Sequence, residues 1–151
     1  MEKARKTLAR NRKALHEYHV EETWEAGIAL TGPEVKSVRA GKVSMAESFG
    51  SVESGEVWLR DMHISAYEPA SRENADPVRP RKLLLHRSEI RRLIGATQQK
   101  GWTLVPLDLY LKDGRIKVTL ALARGKKLYD KRETLKRRAA EREVERAMKS
   151  A

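Results

Sequence analysis

The sequence predicts a mainly β fold with a few helices, an antiparallel sheet closed into a small barrel and followed by a basic tail. Three observations predict it. Apolar and polar residues alternate over several stretches between residues 16 and 122, the period-two signature of strands with one buried side. Turn pairs such as Ser54-Gly55 and Asp113-Gly114 join these stretches, and hairpin connections build antiparallel sheets. Within that span helical spacing appears only in short runs. At 151 residues the chain suits one ordinary domain with a single core.

Residues 16–30 open the body. Tyr18, Val20, Trp24, Ala26, Ile28 and Leu30 share one parity, and Glu17, His19, Glu21, Thr23 and Glu25 the other, which reads as one long half-buried strand. Thr31-Gly32-Pro33-Glu34 is a capping box with proline in the first turn; Val35 and Val38 follow at helical spacing, and Gly41 ends this short helix. Residues 46–53 and 56–61 flank Ser54-Gly55 as a hairpin, with a further short strand at 62–67. Residues 68–81 carry Pro69, Pro77 and Pro80 among polar residues and read as a loop, long enough to suggest a functional role or mobility. Lys82-Leu83-Leu84-Leu85-His86 reads as a short strand. Ser88 then caps a helix in which Ile90, Leu93, Ile94 and Thr97 recur at i, i+3, i+4 and i+7, ending at Gly101. Residues 102–112 place Val105, Leu107, Leu109 and Leu111 on one parity. Asp113-Gly114 is a type I′ signal, after which Ile116, Val118, Leu120 and Leu122 alternate with Lys117, Thr119 and Ala121. Pro106 marks an edge or a bulge. Six or so strands in about 110 residues, with helices plugging the ends, make the fold OB-fold-like.

Charge divides the chain in three. Residues 1–13, a basic N-terminal arm, hold six cations and one anion, while residues 124–151, a basic C-terminal tail, hold eleven and five. The body, 14–123, holds fifteen of each, so the net charge of +11 lies at the two ends. Cationic extensions on a neutral body are what counterion release at a polyphosphate rewards, and they point to nucleic acid; a solubility device or a disordered tail is the plainer alternative. The tail reads as conditionally helical. Asp130 and Glu133 resemble a capping box, and Glu133 with Arg137 and Glu145 with Lys149 are well-oriented i,i+4 pairs, each worth about 0.2–0.5 kcal/mol. Its apolar stripe of Leu135, Ala140, Val144, Ala147 and Met148 is thin. The expectation is a segment loose alone and helical against a polyanionic surface, with a constitutive helix packed on the body as the competing reading.

Residues that carry chemistry are scarce. There is no cysteine, which excludes disulfides, thiolate sites and cysteine nucleophiles and fits a reducing compartment. No run approaches the roughly 20 apolar residues of a membrane span, and the basic N-terminus lacks a secretory apolar segment, so a cytoplasmic protein is expected. Gly41-Lys42-Val43 and Gly125-Lys126-Lys127 lack both the hydroxyl residue and the leading glycine of a phosphate loop; Lys36 and Leu120 stand where the glycine belongs. His16, His19, His63 and His86 show no metal-site spacing. Glu17, Glu21 and Glu25 would spread over about 25 Å on a strand, too far for one ion. They read as a solvated face, or one of them as an acceptor for RNA donors. Ser44, Ser48 and Ser51 sit in no nucleophile motif. Trp24, Trp58 and Trp102 read as packing before base stacking. Arg79, Arg81, Lys82, Arg87, Arg91 and Arg92 against Glu89 form a net +5 group within 14 residues, read as an extension of a nucleic-acid surface. No cofactor, metal or enzyme activity is expected.

Ordered blocks of sequence carry the reading further. Asn11-Arg12-Lys13-Ala14, His16-Glu17-Tyr18, Trp24-Glu25-Ala26-Gly27-Ile28-Ala29-Leu30 and Glu34-Val35-Lys36-Ser37-Val38-Arg39-Ala40-Gly41-Lys42 come first. Arg81-Lys82-Leu83-Leu84-Leu85, Gly125-Lys126-Lys127 and Asp130-Lys131-Arg132 follow. Together they resemble the SmpB family of SsrA-binding proteins. The resemblance implies an OB-type barrel of the bacterial cytoplasm, a monomer without chemistry of its own. It would bind the tRNA-like domain of tmRNA (SsrA RNA) and deliver it to stalled ribosomes for trans-translation. It also implies that the barrel grips the elbow of that domain and replaces its missing anticodon arm. The tail would lie as a helix in the empty mRNA path of the small subunit, near rRNA at the decoding site.

The family's RNA-binding positions fall on Asn11, Glu25 and Leu84. Asn11 and Glu25 would hydrogen-bond bases and sugars, and Leu84 would make an apolar contact or support the sheet. Lys82, Arg87 and the N-terminal cations are phosphate contacts by charge. Gly125, Lys126, Lys127, Tyr129, Asp130, Lys131 and Arg132 map to tail motifs used on the ribosome. Tyr129 stands where some relatives carry histidine; it can stack on a base, but a mechanism needing an imidazole does not carry over. Residues 137–151 match in basic, helix-prone character alone. Fold and charge by themselves would equally suit a generic basic OB-fold RNA-binding or ribosome-associated protein. An RNA-processing enzyme would need a carboxylate or histidine cluster that the sequence does not show.

Overall fold

A computed structural model describes residues 5–67 and 76–126. The elements are β1 (Lys6–Arg10), α1 (Arg12–Glu17), β2 (Tyr18–Ile28), α2 (Gly32–Arg39), β3 (Val43–Ser44), β4 (Phe49–Glu53), β5 (Glu56–Arg60), β6 (His63–Ile64), β7 (Arg81–Leu84), α3 (Arg87–Thr97), β8 (Trp102–Lys112) and β9 (Arg115–Gly125). Strands β4, β5, β7, β2, β9 and β8 form a closed antiparallel ring, and β1 adds to the edge of β8 beyond its contact with β4. The barrel is OB-fold-like, with six strands in the ring where the simple OB barrel has five. β3 and β6 pair separately.

Backbone requirements account for the connections. Asp113 (φ 52°) and Gly114 (φ 75°) supply the two positive φ angles of a type I′ turn, and the β8–β9 hairpin forms there as expected. The ring closes through one pairing of β4 with β8, Gly50 opposite Leu104. A Cβ on Gly50 would lie 2.8 Å from the Leu104 Cβ, so closure depends on the missing side chain. The predicted capping box of α2 is present: Thr31 Oγ1 accepts from the Glu34 amide at 3.3 Å, and the Thr31 amide donates to Glu34 Oε1 at 2.9 Å.

Bulges decide which side chains face inward. The β8 register against β9 shifts between Pro106 and Asp108, as the proline suggested. The expected stripe therefore splits. Leu109 and Leu111 join the main core, whereas Val105 and Leu107 pack with Ala14, Ala121 and Ala123 on the other face. β2 shifts likewise between Val20 and Glu22. Trp24, Ala26 and Ile28 line the core, Tyr18 joins the second cluster, and Val20 is exposed. The main core includes Val38, Leu59, Met62, Leu83, Leu93 and Leu120, all at 2% exposure or less. Burial of each such side chain is worth about 1.5–3 kcal/mol.

Several boundaries move. The N-terminal arm is no extension over residues 6–13: Lys6–Arg10 is a strand, and Asn11 caps α1 by accepting from the Ala14 amide at 3.1 Å. The long strand accordingly starts at Tyr18, not at residue 16. α3 begins at Arg87, with the His86 amide donating to Glu89 Oε1 at 2.9 Å, so Ser88 lies inside the first turn. It ends at Thr97, before Gly101. β4 starts at Phe49, and β6 holds only His63–Ile64. β9 runs through Gly125, which moves the end of the body past residue 124.

An ionic cluster is buried beneath α2. Arg81 has no exposed surface: its Nε donates to Glu34 Oε2 at 2.7 Å, its Nη2 to the Pro77 carbonyl at 3.0 Å, and its Nη1 to the Met62 carbonyl. Arg79 donates to both Glu34 oxygens and to the Ala29 carbonyl. Burial alone would raise the Glu34 carboxyl, but the bonds from Arg79, the Thr31 amide and Arg81 outweigh it and hold it below the usual carboxylate range. The cluster ties α2 to β7 and to residues 76–80.

Candidate nucleic-acid interface

Register puts Glu25, Lys82 and Leu84 on the outer face of the barrel. Ala26 and Ile28 point into the core, so Glu25 and Gly27 point out. Gly27 pairs with Leu84 on one side and Lys117 on the other, and Glu25 pairs with Thr119. Leu84 lies across the space a side chain on Gly27 would fill; a Cβ there would be 3.2 Å from its own Cβ. Leu84 is left 53% exposed at a groove of about 290 Å³ that Val35, Arg39, Arg115 and Lys117 also line. An apolar seat ringed by cations suits unstacked bases joined by phosphates.

Glu25 is fixed from beside and below. The Tyr110 hydroxyl donates to its Oε2, and Lys112 Nζ stands 3.3 and 3.4 Å from its two oxygens. The bond from Tyr110, with Lys112 and Lys117 adding positive charge, holds the Glu25 carboxyl below its usual range despite partial burial. It is therefore a carboxylate near neutral pH, an acceptor for N–H or 2′-hydroxyl donors. Tyr110 in turn lies beneath the Arg5 guanidinium, 3.7 Å from the ring centroid. Sequence reasoning missed Tyr110, Lys112 and the cations of the groove, and it read Arg5 as a phosphate contact by charge, not as the cover of a buried ring. The available signal was an aromatic on the polar parity of β8, between Asp108 and Lys112.

The remaining residues divide. Lys82 pairs with Glu56 at 2.8 Å with both side chains near half exposure, and Arg87 is exposed at the start of α3. Arg92 is paired with Glu22 at 3.1 Å. Arg79 and Arg81, expected on the same basic surface, are drawn inward by Glu34 and leave it. Asn11 does not join Glu25 and Leu84. It is 3% exposed, and its Nδ2 donates to the carbonyls of Met45 at 3.1 Å and Pro106 at 2.8 Å. Gly125 and Lys126 stand at the other end of the β2–β9 ladder, where Tyr18 pairs with Gly125 and Lys126 Nζ donates at 3.4 Å to the carbonyl of Leu15, in the helix that Asn11 caps. From Tyr18 to Gly27 the strand spans about 30 Å. Lys127, Tyr129, Asp130, Lys131 and Arg132, with the helical reading of the tail, lie outside the described residues. Among the described residues no three metal-binding side chains gather, and no helix is long and apolar enough to cross a membrane.

Comparison with known proteins adds to this geometry. The profile of the family described as "SmpB protein" matches residues 8–150. The SsrA-binding protein of Geobacillus sp. (strain WCH70) is 60% identical over 144 residues, covering 95% of this chain and 93% of that protein. The SsrA-binding protein of Clostridium kluyveri (strain ATCC 8527) is 58% identical over 144 residues, covering 95% and 92%. A chain of the solved structure "tmRNA-SmpB: a journey to the center of the bacterial ribosome" is 55% identical with a TM-score of 0.67, covering 78% of this chain and 83% of that one. With a matching profile over nearly its whole length and relatives of this identity, the chain belongs to the SmpB family.

Proposed function

We propose that this protein binds tmRNA through its tRNA-like domain and delivers it to stalled ribosomes for trans-translation, acting in the cytoplasm as a binding protein without chemistry of its own. The observation that carries this reading is the 60% identity, across 95% of the chain, to an SsrA-binding protein. The outer face supports it. Glu25 offers a charged acceptor, Leu84 an apolar seat, and Lys82, Arg87 and the groove cations attract phosphate. Asn11 contributes by placing α1, since its amide is already engaged. Gly125 and Lys126 begin the tail motif, continued by Lys127, Tyr129, Asp130, Lys131 and Arg132, which serves the ribosome by lying in the empty mRNA path.

The test is competitive binding at about 150 mM salt, full-length protein against the isolated tRNA-like domain and an ordinary tRNA. Strong preference for the former is expected. Equal, steeply salt-dependent binding to both would leave a generic basic RNA-binding barrel. Removing residues 127–151, beyond the end of β9, should leave this affinity nearly intact and abolish ribosome rescue. Equal loss of both would make the tail part of the RNA grip.

A further inference from the structure

Tyr110 is buried in an unexpected place. It points to the outer face of β8, yet it is 1% exposed and belongs to neither apolar cluster. Its cover is Arg5. The guanidinium lies 3.7 Å from the ring centroid and donates to Asp108 Oδ2 at 2.8 Å and Thr119 Oγ1 at 3.1 Å. A ring held between sheet and cation has little freedom, and its hydroxyl is aimed at Glu25 Oε2. Burial, and then the neighbouring Glu25, push ionisation of the phenol far up, so it remains a donor.

The consequence falls on Glu25. Its Oε2 is occupied, which fixes the plane of the carboxylate. Among the described residues its Oε1 meets only Lys112, at 3.4 Å, and the side chain is 41% exposed. A free glutamate would sample several rotamers and lose that freedom on binding, whereas a fixed one presents its acceptor at no such cost.

We propose that Tyr110, clamped by Arg5, is a positioning residue that holds Glu25 so that its second oxygen accepts from RNA donors. This inference rests on the RNA-binding reading of Glu25 above. It makes the N-terminal end of the described chain part of the recognition apparatus through a stack and a hydrogen bond, beyond the general attraction of its charge.

A double-mutant cycle tests it, using full-length protein and the isolated tRNA-like domain at fixed salt. Tyr110→Phe should weaken binding about tenfold, the scale of one charge-assisted hydrogen bond. It should add nothing in a Glu25→Gln background. The Glu25 carboxyl, followed by carbon NMR in the free protein, should titrate at higher pH in Tyr110→Phe, nearer the usual range, with Lys112 and Lys117 still facing it. Arg5→Ala, which keeps the hydroxyl but unclamps the ring, should give a smaller loss, of which only the part due to its charge persists in the Glu25→Gln background. Equal losses with and without Glu25 would mean that Tyr110 acts independently of it and would overturn the inference. So would unchanged binding by Tyr110→Phe. If Glu25→Gln itself has no effect while wild type still prefers the tRNA-like domain over tRNA, this inference fails and the proposed function stands.

Discussion

Glu34 and Glu25 both meet cations, one beneath α2 and one on the outer sheet face. Glu34 is 5% exposed, and both its oxygens accept from within the fold, from Arg79, Arg81 and the Thr31 amide. Glu25 keeps a side chain 41% exposed, gives one oxygen to Tyr110, and holds Lys112 at more than 3 Å. Like chemistry yields opposite uses. Where water is excluded, the desolvation of each charge must be matched by its partners, and loss of one partner strands the others. Where water reaches, the pair adds little to stability and leaves an acceptor for something else.

The largest test of that contrast is Glu34→Ala. It leaves Arg81 as an uncompensated buried charge and should cost about 3–5 kcal/mol, read by urea or thermal unfolding. The affinity of the remaining folded protein for the tRNA-like domain should be unchanged. A cost below about 1 kcal/mol would erase the distinction between the two sites.

Acid should separate them next. Both carboxyls are held below their usual range in the folded state, so the unfolded chain takes up protons first as pH falls. The stability each contributes is complete above the ordinary carboxylate range and drains as pH drops through the depressed folded value. Unfolding measured between about pH 6 and about pH 3 should lose much of its acid-side slope in Glu34→Ala and little of it in Glu25→Gln. Equal flattening would place the acid sensitivity on both. The smallest stability effect belongs to Glu25→Gln alone, within about 0.5 kcal/mol of wild type, with weaker RNA binding despite one negative charge fewer. Tighter binding would show that Glu25 merely repels phosphate.

Local rules made much of the fold legible. The capping box at Thr31 and Glu34, the turn at Asp113-Gly114 and the bulge near Pro106 each follow from the chemistry of a few adjacent residues, and each is present. What was hidden depends on distant partners. Lys6–Arg10 reads as a charged arm because its pairing with β8 spans most of the chain. Arg81 reads as surface because an arginine signals burial only once Glu34 is known to face it. Val105 and Leu107 exchange faces because one extra residue in a strand reverses every later parity. At the candidate site, Glu25 and Leu84 were accessible through the family resemblance and Lys82 through its charge. Tyr110 was not, since its burial comes from Arg5, more than 100 positions away.

The β2–β9 ladder, with Leu84 beside one end and Gly125 at the other, has a mechanical consequence. Its nine paired positions make it a short beam that carries a tilt at one end toward the other. A tilt of about 5° at the Leu84 end, carried over about 30 Å, swings the far end by roughly 3 Å. The position of Lys126 therefore follows whatever orients Leu84. Two variants of equal affinity can still deliver it to different places, because angular error is amplified along the beam while binding strength is not.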